Sequence, residues 1–140
     1  MNVLIDTNII LDVLLHRESF FEKSKLVLLA AEECVINGYI SASAVTDIFY
    51  IVNKFLKNKS DASELLKKHF MGTINIAAVD GDIIFKALNA EWDDFEDCVQ
   101  YIVGESISAD YIVTRNLKDF INTRINVVTP EEFLNIIAPE

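Results

Sequence analysis

Short runs of β-branched and leucine residues, each closed by a polar residue and followed by a stretch with helical apolar spacing, most restrict what this chain can fold into. Asn2-Val3-Leu4-Ile5 stops at Asp6, and Tyr111-Ile112-Val113 stops at Thr114. Apolar runs without alternation mark strands buried on both faces, as parallel strands are. Between them lie segments with apolar residues at i, i+3 and i+4. Strand and helix in alternation build parallel βαβ units, whose helices cover both faces of one sheet. The expected class is therefore α/β, a three-layer α/β/α sandwich around a mostly parallel sheet.

Local signals place the elements. Residues 2–6 read as the first strand, and residues 9–15 and 20–33 as helices. Asn37-Gly38 marks a turn before a short strand at Tyr39-Ile40. Residues 43–55 form a helix with Val45, Ile48, Phe49 and Val52 on its apolar face. Ser60 is the expected N-cap of a helix reaching residue 70, because its hydroxyl can accept a free backbone N–H. Residues 74–79 read as a strand, Asp80 caps a helix to residue 90, and Asp94 opens the next. Strands follow at 111–114 and 125–128, and Thr129-Pro130-Glu131-Glu132 starts a final helix.

At 140 residues, 51% hydrophobic and 24% charged, the chain has globular composition and fits a single domain over residues 1–140. Asp6 and Asp12 interrupt the N-terminal apolar stretch, and no run reaches the roughly 18 apolar residues of a membrane span. A secretion signal and a membrane partner are thus unsupported, and a cytoplasmic location is expected. Cys34 and Cys98 each sit in an apolar pattern and read as buried, reduced thiols. His16 and His69 have no partner at ligand spacing.

A net charge of −10 argues against nucleic-acid binding through a broad basic surface. Charge is unevenly spread, however. Asp80 to Asp110 holds nine acids and one base, Lys86, whereas Lys54, Lys57, Lys59, Lys67 and Lys68 fall within fifteen residues. A bound cation would offset part of the acidic cluster. The lysines read first as solvated helix faces, and second as a surface toward a phosphate backbone.

The acids stand where chemistry can use them. Ligands in open α/β sheets bind at the carboxyl ends of the strands, and Asp6-Thr7-Asn8 and Thr114-Arg115-Asn116-Leu117-Lys118-Asp119 occupy two such ends. Asp6 or a neighbour can also cap the next helix, and Asp47, early in its helix, has a sufficient structural reason in the helix dipole. Asp93, Asp94, Glu96 and Asp97 are four acids in five residues, more than capping by Asp94 requires. Carboxylates gathered at one place repel one another unless protons or a hard cation compensate, and such oxygen donors suit Mg²⁺ or Mn²⁺ rather than zinc. Thr114 can bond a metal ligand or water, and Arg115 and Lys118 offer phosphate contacts. Asn116 and Asp119 can complete the pocket. These residues point to a metal-dependent enzyme acting on phosphate esters. No nucleophile elbow, Walker loop or glycine-rich dinucleotide fingerprint occurs.

Together, Val3-Leu4-Ile5-Asp6-Thr7-Asn8, Asp47, Asp94-Phe95-Glu96-Asp97-Cys98-Val99-Gln100 and Ile112 to Phe120 resemble the PIN-domain family, particularly its VapC-like toxins. The resemblance implies a parallel five-stranded sheet and a Mg²⁺- or Mn²⁺-dependent ribonuclease held in check by an antitoxin. By position it makes Asp6, Asp47 and Asp97 catalytic, metal-holding carboxylates, and the fourth is either absent or supplied by Asp119. Thr7, Asn8, Asp94, Thr114, Arg115 and Asn116 stand around them. Many relatives have Glu at the position of Asp47 and Asp at that of Asn116, which leaves the choice between one ion and two open. An antitoxin would set an Arg or Lys against the acids, and the helices between residues 43 and 70 would supply further interface or a homodimer contact. The rival readings are a degenerate PIN-like binding domain, a receiver-type domain and an aspartyl phosphatase; the last wants an Asp where Asn8 stands.

Overall fold

The computed structural model describes residues 1–70, 72–121 and 123–138. The chain runs β1 (Asn2–Ile5), α1 (Thr7–Leu14), α2 (Glu18–Glu32), β2 (Asn37–Ser41), α3 (Ala42–Leu56), α4 (Lys59–Phe70) and β3 (Asn75–Ala77). It continues through α5 (Gly81–Ala90), α6 (Phe95–Ser106), β4 (Tyr111–Val113), a 3₁₀ turn (Leu117–Asp119), β5 (Asn126–Val128) and α7 (Pro130–Ile137). The five strands form one sheet in the order β3-β2-β1-β4-β5, and all four pairings are parallel.

Successive residues of a strand face opposite sides of a sheet, and β1 shows it directly. Val3 and Ile5 enter a core shared with α1, α2, α3, α4 and Phe133 of α7, while Leu4 enters a second core with α5, α6 and Ile112. These two cores are the two helix layers of the expected sandwich. The chain moves outward from β1 through β2 to β3, then returns to the other side of β1 with β4. The reversal opens a crevice between the carboxyl ends of β1 and β4, where open α/β sheets bind ligands.

Most local expectations match the elements observed. Asp80 Oδ1 accepts from the Ile83 amide at 3.0 Å, Asp94 Oδ1 from the Asp97 amide at 3.0 Å, and Thr129 with Glu132 forms a reciprocal capping box. Three differ. Asn37-Gly38 lies inside β2, and the glycine is there for packing: a Cβ at Gly38 would stand 2.9 Å from Ala31 Cβ. The helix α4 starts at Lys59, with Asn58 Oδ1 accepting the Asp61 amide at 3.1 Å, so Asn58 takes the capping role expected of Ser60. Cys34 is exposed in the turn after α2, where its φ is 61°. Cys98 is buried, and burial with the nearby Glu105 charge pushes its thiol up. Among the described residues no helix is long and apolar enough to cross a membrane.

Candidate active site

Asp6 ends β1 and occupies the N-cap position of α1, yet its carboxylate makes no capping bond. It is held from across the sheet instead. Thr114 Oγ1, at the end of β4, donates to Oδ2 at 2.8 Å, and Gln100 Nε2, from α6, donates to Oδ1 at 2.9 Å. The Asn116 amide donates to the same Thr114 hydroxyl at 3.0 Å, so that hydroxyl's own proton is directed at Asp6. All three side chains are buried, with Asp6 only 3% exposed. A buried carboxylate fixed on both oxygens is a rigid ligand, and such outer contacts orient metal-binding groups.

In front of Asp6 opens a cleft of about 410 Å³. Thr7 and Asn8 line it from α1, Asp47 and Tyr50 from α3, Glu96 and Asp97 from the first turn of α6, with Asp94 at its cap. Asn116 and Asp119 complete it from beyond β4. Four separate stretches of chain thus bring six carboxylates together, and among the described residues no cationic side chain lines the cleft. Of the residues expected from sequence, Asp6, Asp47, Asp94, Asp97, Asp119, Thr7, Asn8 and Asn116 face this space, and Thr114 lies directly behind it.

Crowding shows in the protonation of the acids. Burial, then the charges of Asp94, Asp6, Asp119 and Glu96, pushes Asp97 up to about 7. Asp6 is raised by burial, which outweighs the hydrogen bonds from Gln100 and Thr114, that from the Thr7 backbone, and the Arg115 charge. Glu96 is raised by desolvation of its carboxyl, by the charges of Asp47, Asp6 and Asp94, and by a hydrogen bond with Asp47. Its side chain stays exposed, so solvent screens it more than the others. Thr7 Oγ1 reaches Glu96 Oε1 at 3.5 Å, the outer limit of a hydrogen bond.

Two residues belong to the site that sequence reasoning did not single out. Gln100 interrupts the apolar stripe Cys98-Val99-Tyr101-Ile102, and a polar residue within such a stripe is the signal for a buried partner. Glu96 was indistinguishable from its acidic neighbours until α6 turned it toward Asp47. Arg115 corrects an expectation. It does not face the cleft as a phosphate contact; its guanidinium pairs with buried Asp12 and lies 3.7 Å from the Phe20 ring centroid.

Among the described residues, no three His, Cys, Asp or Glu side chains are drawn in closely enough to clasp an ion together. The donor chemistry still fits Mg²⁺ or Mn²⁺. Mg²⁺ commonly keeps several waters and binds through only one or two carboxylates. Asp6, fixed and buried, and Asp97, whose carboxyl is raised in part by the Asp6 charge, are donors of the kind that mode uses.

The family profile described as PIN domain matches residues 2–118. The chain belongs to the PIN-domain family. Solved structures agree on the fold. A chain of a toxin-antitoxin complex from Klebsiella pneumoniae is 24% identical, with a TM-score of 0.66, over 91% of this PIN domain and 97% of that chain. VapBC2 of Rickettsia felis, bound to a fragment of its promoter DNA, is 20% identical with a TM-score of 0.65, over 91% and 97%. Mycobacterium tuberculosis VapC20, a toxin that cleaves the sarcin-ricin loop, is 11% identical with a TM-score of 0.64, over 79% and 86%. Among curated proteins, none matches this PIN domain significantly.

Proposed function

We propose that this PIN domain is a Mg²⁺- or Mn²⁺-dependent endoribonuclease, the toxin of a toxin–antitoxin pair acting in the cytoplasm. The observation that carries the reading is Asp6, pinned by Thr114 and Gln100 at the back of a cleft with six carboxylates and no cation. A carboxylate needed only as a helix cap would accept from the second or third amide of α1, and this one makes no such capping bond. Asp6, Asp97 and Asp47 or Asp119 are the residues to hold the ion. Once bound, a divalent ion supplies an activated water and a polarised phosphoryl oxygen, which is the chemistry phosphodiester hydrolysis needs. The protein's share is to orient the acids and keep them partly dry, and the ion's charge offsets the crowding that raises them. VapC20, of the same fold, is a toxin that cleaves the sarcin-ricin loop, and that supports a nuclease reading with RNA as substrate here.

An antitoxin is the second part of the proposal. Tyr50 lines the cleft and is 67% exposed, and Phe55 on the same helix is 63% exposed. One segment can therefore cover apolar α3 and set a basic side chain among the acids, an arrangement favoured electrostatically by the net charge of −10. A second copy of the chain would compete for that surface.

The test is cleavage of a mixed RNA pool by the purified chain. Activity should appear with Mn²⁺ or Mg²⁺, vanish with chelator, and be abolished in Asp6→Asn without loss of fold. Chelator-resistant cleavage, or full activity in Asp6→Asn, would overturn the nuclease assignment. Co-expression with the neighbouring reading frame tests the partner: a basic protein that co-purifies and dissociates in salt is expected, and growth unaffected by the chain alone would exclude a toxin.

A further inference from the structure

The acidic cleft continues beyond α6. A second depression, of about 330 Å³, shares Asp94 and Asp119 with it and adds the aromatic residues Trp92 and Tyr101 together with Ile121. Trp92 is half-buried and firmly held. Its ring stacks on Tyr101 with centroids 5.3 Å apart and meets the Phe120 ring edge-on at 6.0 Å. Tyr101 is anchored in turn, its hydroxyl accepting the Arg124 amide at 2.9 Å. Lys118 lines this depression and not the acidic cleft, and among the described residues no acid forms an ion pair with it. Glu91 and Asp93 line the depression as well.

We propose that the Trp92 depression is a nucleobase subsite, which takes the base next to the phosphate held in the acidic cleft and prefers cytosine over uracil. The inference rests on the ribonuclease reading. Unpaired RNA bases are commonly recognised by stacking on an aromatic side chain together with hydrogen bonds to the base edge. A rigid indole beside the cleft offers the first. Glu91 and Asp93 offer the second, and carboxylates only accept hydrogen bonds. The cytosine N4 amine carries two hydrogens to share between such groups, whereas uracil offers a single N3–H flanked by two carbonyls, O2 and O4, that set acceptor against acceptor. Lys118 supplies a positive charge for the phosphate joining the two subsites, which the acid-lined cleft itself lacks.

Trp92 is the only tryptophan, so its fluorescence reads the subsite alone. The wild-type chain is titrated with CMP and UMP in Mg²⁺; the rings are alike in size and neither has a phosphodiester to hydrolyse. Saturable quenching is expected from both, with CMP binding several-fold tighter. Glu91→Gln with Asp93→Asn should bring the two nucleotides together, and Lys118→Ala should weaken both alike. Absence of quenching, or equal binding of CMP and UMP in the wild type, would overturn the proposal. Mn²⁺-dependent RNA cleavage is measured on the same preparation. Cleavage without quenching refutes the subsite and leaves the nuclease intact, whereas quenching without cleavage keeps the nucleotide site and refutes the nuclease.

Discussion

Arg115 grips Asp12 with both arms of its guanidinium: Nε lies 2.9 Å from Oδ2 and Nη2 3.1 Å from Oδ1. Ser24 of α2 donates to Oδ2 at 3.0 Å, and Arg17 reaches Oδ1 at 3.4 Å. Asp12 is fully buried, so these donors replace its water. The pair ties α1 and α2 to the segment after β4. Asn116 follows Arg115 directly and Asp119 lies four residues on, so the clamp also sets the entry to the far wall of the cleft.

Arg115→Ala should therefore destabilise the protein by about 3 kcal/mol, the lower end for breaking a buried pair, because Arg17 stays near the stranded carboxylate. Asp12→Leu combined with Arg115→Met should recover much of that loss, since no unpaired charge is then buried. Urea unfolding of the single and double variants checks it. A single variant as stable as wild type would show that the pair contributes nothing.

Asp97 makes the metal-free protein pH-sensitive. Its carboxyl is raised from 3.8 to about 7 by burial and by its acidic neighbours. A group raised in the folded state holds its proton more tightly there than when unfolded. Its contribution to stability is therefore complete below about pH 4 and is lost as pH rises through 7. In chelator, the melting temperature should fall between pH 5 and pH 8. Asp97→Asn should flatten that fall, with a gain over wild type at pH 8 and little at pH 5. Millimolar Mn²⁺ should raise the wild-type value most at pH 8, as a ligand binding only the native state does. Parallel curves for wild type and Asp97→Asn would refute the crowding.

Gln100 and Thr114 both bond Asp6, and on the proposed function they position it rather than touch substrate. Gln100→Leu and Thr114→Val each remove one donor, and outer contacts of this kind typically change metal affinity or activity by about 10- to 100-fold. The deficit should shrink at higher Mn²⁺ concentration. A deficit independent of metal concentration would point to a packing fault instead.

Gly38→Ala probes the strand that replaced an expected turn. The added methyl would meet Ala31 Cβ at 2.9 Å, and overpacking of this sort costs about 1–3 kcal/mol. Thermal unfolding should show the loss without any change in metal response. A neutral substitution would mean that β2 and α2 separate easily.

What the sequence determined by itself is what short-range chemistry controls. Unbroken apolar runs made β1 and β4 legible, and the caps Asp80, Asp94 and Thr129 act on amides three residues away. Such bonds form within one turn and need no distant partner. Acids placed beyond the ends of those runs were legible as candidates, and Asp6 and Asp119 do line one cleft. Tertiary structure alone decided the rest. Gln100 meets Asp6 across 94 residues, Thr114 meets it across 108, and Arg115 meets Asp12 across 103. No local propensity distinguishes an arginine bound for a buried aspartate from one awaiting a phosphate. Gly38 pairs with Val3 in the sheet while Ala31 packs too close to admit a side chain, and Cys34 lies exposed in the left-handed turn after α2. The strand order that brings the ends of β1 and β4 together is set by how apolar faces pack across the whole chain, and packing is settled only when the chain is folded.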